Sequence, residues 1–158
     1  MQREVGEAYE ASTSALQAAK GQRLSLRRAI AGLQEALGGP ADELDGMPDR
    51  LGGALERLEE VFAVHIEVTE APGGLYQEIL DISPRLANRV TRFRREHTEI
   101  AEGIRHGIAS SRAAAGDAEA VQALRDHAVR LLADLVRHRN RGLDQVYEAY
   151  HVDIGGES

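Results

Sequence analysis

A chain of 158 residues is the size of one domain and long enough to bury a core unaided; with no Cys it can form neither a disulfide nor a thiolate metal site. Its net charge of −7 argues against general binding to nucleic acid or anionic lipid, and all but one of its 19 basic residues are Arg, Lys20 being the exception. The opening MQREVGEAYEASTSALQAAK reads neither as a signal peptide nor as an anchor, so the expected setting is the cytoplasm, with no membrane and no nucleic acid as partner.

Ala, Leu, Glu and Arg dominate and no strand pattern shows, which predicts an all-α fold. Val5, Tyr9, Ser12, Leu16 and Ala19 form a weak stripe, read as a separate N-terminal helical arm over 1–21 that ends at Gly21. Leu26, Ile30, Leu33 and Leu37 mark a first bundle helix over 22–37, closed by Gly38, Gly39 and Pro40. After a polar loop to Pro48, a second helix over 49–71 carries Leu51, Leu55, Leu58, Phe62, His65 and Thr69 on one face, until Pro72, Gly73 and Gly74 interrupt it. LYQEIL bridges to Ser83 and Pro84, where Ser is the expected cap and Pro the first-turn residue of a third helix. That helix carries Leu86, Val90, Phe93, His97, Ile100, Ile104 and Ile108 and stops near Ala115 and Gly116. Asp117 is the expected cap of a fourth, with Val121, Leu124, Ala128, Leu131, Leu135, His138, Gly142 and Ala149 in its stripe. Short connections force antiparallel neighbours, so residues 22–156 are expected to form an up-down-up-down four-helix bundle. The aromatic tail around Tyr147 and Tyr150 is expected either to close one end or to offer a partner surface.

Three of the six His lie on the apolar stripe of their helix, each on a different helix: His65, His97 and His138. A bundle interior is where distant segments bring such side chains to bonding distance of a metal; the bland alternative is three hydrogen-bonded core histidines. His106, nine positions after His97, should face water at about 100° per residue. His127 lies beside the stripe, and His151 beyond the last helix.

Three segments, HIEVTEAPGGLY from His65, RREHTEI around His97 and HRNRGLDQVYEAYHVDIGG from His138, resemble in order those of a bacterial hemerythrin-like (HHE cation-binding) domain. The resemblance covers about residues 22–156. It implies a bundle built around a non-haem di-iron centre held by five His and two carboxylates. His65, His97 and His138 match its ligands on helices two, three and four, and Glu70 matches the second Glu of the family's EE pair. The chain departs where the family's bridging carboxylates stand: Thr69 and Gly142 occupy those positions, and helix one offers Ala29, Ile30 and Leu33 where a His is usual. Asp144, six positions after His138, points away from it. Two adjacent cations need anionic bridges, so the expectation is no cofactor, or a single Fe or Zn ion on His65, Glu70, His97 and His138.

The expected role is therefore a small, non-enzymatic binding or regulatory module with a partly lost di-iron site. The alternative is a working iron protein that binds oxygen or senses iron or redox state. A homo-oligomer or a protein partner joined through the N-terminal arm is a third expectation. Arg85, Arg89, Arg92, Arg94 and Arg95, like Arg130, Arg137, Arg139 and Arg141, read as a solvated, salt-bridged surface, since acidic residues are interleaved with them. The Gly pairs lack the context of phosphate loops, and no Ser sits in a catalytic order with His and acid.

Overall fold

In the computed structural model the backbone is described for residues 2–39, 46–114 and 116–147, and side chains for residues 17, 18, 20–39, 46–114 and 116–142. Among the described residues the chain is all-helical: α1 Gln2–Leu37, α2 Met47–Glu70, α3 Leu75–Ile82, a 3-10 turn Pro84–Leu86, α4 Ala87–Ala113 and α5 Ala118–Tyr147. The four long helices pack in a ring, α1 on α2, α2 on α4, α4 on α5 and α5 back on α1. Close approaches fix their directions. Gly52 faces Ser111 and Gly107 faces Leu55, while Gly103 meets Leu131 and Glu96 reaches His138, so successive long helices run antiparallel. No helix among the described residues is long and apolar enough to cross a membrane.

Two side-chain clusters form the interior. The larger runs through the bundle, with Leu26, Leu33, Leu51, Leu55, Leu58, Phe62, Leu124 and Leu135 essentially removed from water. The smaller lies beneath α3 and joins Leu75, Tyr76, Ile79, Leu86, Val90 and Phe93. Burial of each such Leu or Phe contributes about 1.5–3 kcal/mol.

Local chemistry sets the element ends, with two departures from the sequence expectations. Gly21 does not stop the helix: α1 runs through it unbroken, the site is exposed, and one exposed glycine costs a helix only about 1 kcal/mol among neighbours such as Ala18, Lys20 and Gln22 that favour it. The arm's side chains through Leu16, and the tail beyond Tyr147 with His151, lie outside the described residues. Ser83 does not cap: its hydroxyl is buried without a partner, and Pro84 opens a 3-10 turn before α4 begins. Asp117 does cap α5, its Oδ1 accepting from the backbone N–H of Glu119 (3.0 Å) and Ala120 (3.4 Å). Gly116, at φ +80°, supplies the left-handed residue after α4.

The break after α2 redirects the chain toward the interior. Ala71 precedes Pro72 and is driven to extended backbone (φ −61°, ψ 153°), which ends the helix. Pro72, then Gly73 at φ +76°, then a bond from Gly74 N–H to the Ala71 carbonyl (2.8 Å), make the pattern of a type II turn. Gly74 is sterically required, since a Cβ there would lie 2.6 Å from the Val68 carbonyl oxygen. The turn lays α3 across the bundle and brings Tyr76 inward. Gly74→Ala should therefore lower stability by about 1–3 kcal/mol. Gly53→Ala, on the exposed face of α2 with open space around it, should raise stability by about 0.5–1 kcal/mol. Urea denaturation of both variants checks this; shifts of the same sign would contradict it.

Candidate metal centre

His65 from α2, His97 from α4 and His138 from α5 meet at one depth where the two side-chain clusters join. Their Nε2 atoms make the contact: His97 to His138 is 3.0 Å and His65 to His138 is 3.4 Å. The three rings are 9 %, 1 % and 4 % exposed, and among the described residues theirs are the metal-ligating groups that converge, with atoms all within 4.8 Å of one another. Aromatic walls hold them. Phe62, one turn before His65, stacks on it at 5.5 Å and meets His97 edge-on at 5.6 Å, while Phe93 meets His138 edge-on at 5.6 Å.

The outer nitrogens tell which lone pairs point inward. The Nδ1–H of His138 donates to Oε2 of Glu96 (2.7 Å), and the other oxygen of Glu96 accepts from Arg141 (2.6 Å). A carboxylate only accepts, so Nδ1 of His138 carries the proton and its Nε2 presents a lone pair to the cluster. His97 is the contested ring. A proton on its Nδ1 faces Glu70 Oε2, though 3.5 Å is too long for a good hydrogen bond, and then two Nε2 lone pairs oppose each other at 3.0 Å. A proton on its Nε2 satisfies His138 but leaves Nδ1 buried without a hydrogen bond. A cation among the three Nε2 atoms removes the conflict, because both outer nitrogens then keep their protons toward carboxylates.

Glu70, grouped with the three His on sequence grounds, lies outside the cluster, its carboxylate at the outer nitrogen of His97. Burial raises the pKa of Glu70, against the pull of Arg94. The positions matched to bridging carboxylates, Thr69 and Gly142, both line a cavity of about 40 Å³ beside the imidazoles, with His65, His138, Tyr76 and Leu26 also in its wall. At about 10–15 Å³ per water centre it has room for two or three waters. The Thr69 hydroxyl donates to the His65 carbonyl (2.8 Å), and Gly142 offers no side chain. Among the described residues the donor set is neutral imidazole without a bridging anion, which does not fit a di-iron pair; three converging nitrogens do fit one ion.

Three participants escaped the sequence reading. Glu96 stood among Glu99 and Glu102 as a surface charge, and Arg141 among solvated arginines. Tyr76 was only one letter of a motif, yet its hydroxyl is 3.1 Å from Nε2 of His97. The remaining His behave differently. His106 is exposed, and the half-buried His127 stacks edge-on against it at 4.8 Å while its Nε2–H donates to the Gly103 carbonyl (2.7 Å). No family model, curated protein or solved structure matches the chain.

Burial opposes protonation throughout the cluster. It pushes His65 down from 6.5 to about 3, with His138 adding to the effect. His97 falls to about 2 through burial first, then through His138, His65 and Arg94. His138 is also lowered by burial, with Glu96 pulling the other way. The rings are thus neutral in the folded protein, while the unfolded chain takes up protons as the pH drops below 6.5. Stability is fully present above that value and is lost as the pH falls from it toward 3. The urea midpoint of chelator-treated protein should therefore decline steadily between about pH 6.5 and 5, ahead of ordinary carboxylate titration. A flat or rising midpoint over that interval would count against neutral, buried rings.

Proposed function

We propose that the protein is a metal-binding helical bundle of the hemerythrin-like kind that holds one transition-metal ion on Nε2 of His65, His97 and His138. It acts as a small binding or regulatory module. The observation that carries this reading is the meeting of three buried Nε2 atoms at 3.0 and 3.4 Å while Glu96 and Glu70 stand at outer ring nitrogens. Metal–nitrogen bonds of about 2.0–2.1 Å in a tetrahedral arrangement separate the nitrogens by about 3.3–3.4 Å, close to the two contacts that His138 makes. Imidazole donors suit zinc, iron, copper or nickel and are poor for magnesium or calcium. Glu96 fits the role of a carboxylate that fixes a ligating His in tautomer and orientation, and it also brings negative charge near a buried cation.

Under this reading the chelator-treated chain takes up one equivalent of Zn²⁺ in a calorimetric titration. Glu96→Gln weakens that binding by about 10–100-fold. His97→Ala weakens it further, and a hundredfold excess of free Zn²⁺ over the dissociation constant stabilises the unaltered fold by about 2.7 kcal/mol. Uptake of two equivalents, absence of uptake, or unchanged affinity in His97→Ala would each refute the reading.

A further inference from the structure

We infer that the phenol oxygen of Tyr76 is the fourth donor of this site, making it a three-histidine, one-tyrosine centre suited to ferric iron; the inference rests on the proposal of a single bound ion. Tyr76 Oη lies 3.1 Å from Nε2 of His97, close to the 3.0 and 3.4 Å that separate Nε2 of His138 from those of His97 and His65. Nε2 of His97 thus has both the phenol and Nε2 of His138 beside it, and α2, α3, α4 and α5 each contribute one side chain to the chain of contacts.

The ring is held firmly enough to act as a ligand. It is 5 % exposed, nearly parallel to His97 (5.6 Å between centroids, 18°) and to Phe93 (6.0 Å, 20°), and anchored by a helix whose entry the Pro72–Gly73 turn fixes. Its position also answers the lack of anionic donors. With Thr69 and Gly142 unable to supply carboxylate, the group touching the Nε2 cluster that can take negative charge is, among the described residues, this phenol. On coordination the O–H bond breaks and an oxygen–metal bond forms, with the proton passing to solvent; no oxidation state changes if iron enters as Fe³⁺. A hard, anionic oxygen beside three imidazoles favours the trivalent ion over Zn²⁺.

The test loads the full chain with Fe³⁺ from ferric nitrilotriacetate, removes excess, and reads iron content, visible absorbance and resonance Raman spectra in the unaltered protein and in Tyr76→Phe. The expected result is about one iron per chain with a phenolate-to-iron charge-transfer band and phenolate Raman modes. Tyr76→Phe should keep its Zn²⁺ equivalent and lose the band. Iron bound without band or phenolate modes overturns the inference, as does a band that survives in Tyr76→Phe. Should that variant not fold, the Raman spectrum of the unaltered chain decides alone. Zn²⁺ titration separates the two levels: normal zinc uptake with no phenolate signature removes Tyr76 only, whereas failure to take up either metal removes the single-ion reading and this inference with it.

Discussion

Three buried imidazoles placed with their Nε2 atoms toward one another, inside a core that repels a proton, form the arrangement around which the rest of the structure is organised. Neutral rings are tolerated there because each is packed by aromatic groups and because His138 has an outer acceptor, Glu96. Yet neutrality leaves His97 without a fully satisfied tautomer: its inner nitrogen has Tyr76 and His138 beside it, but its outer nitrogen has only a distant carboxylate. A buried polar conflict of that kind costs on the order of 1–3 kcal/mol, and a metal-binding role is the physical reason we assign to it.

The fold supplies this arrangement through ordinary means. Antiparallel long helices bring residues 65, 97 and 138 to one level, and glycines at 52, 103 and 107 let α2, α4 and α5 approach closely. The Pro–Gly–Gly turn then converts the end of α2 into the start of a short transverse helix, which places a tyrosine against the cluster and builds a second apolar layer beneath it. Among the described residues no carboxylate that would bridge two ions stands at the inner positions, where Thr69 and Gly142 line a cavity instead. Glu70 and Glu96 sit outside the imidazoles, and Glu96 orients His138 through its hydrogen bond.

Periodicity was enough to read the inward faces. His65, His97 and His138 recur at helical spacing among Leu, Phe and Ile, so their burial and their origin on three helices were legible, as was the bundle itself. Capping was legible at Asp117, where a side-chain oxygen has no competitor, but not at Ser83, where burial under α3 overrides the local preference. Gly21 misled because a glycine's cost to a helix is small against the cooperativity of the segments on either side. Glu96, Arg141 and Tyr76 were illegible for a different reason. Each lies beside a stripe or beyond a break, and its role depends on a partner 42, 45 or 21 residues away that only packing brings near. Glu70 was found, but its carboxylate reaches the outer side of His97 because α2 ends at that residue.

Anomalous diffraction from crystals of the chelator-treated chain grown with one equivalent of Zn²⁺ tests most directly whether these imidazoles are ligands. The predicted result is one peak in the bundle, about 2.0–2.1 Å from Nε2 of each of His65, His97 and His138. A peak confined to the surface, or a pair of buried peaks about 3.5–4 Å apart, would contradict it.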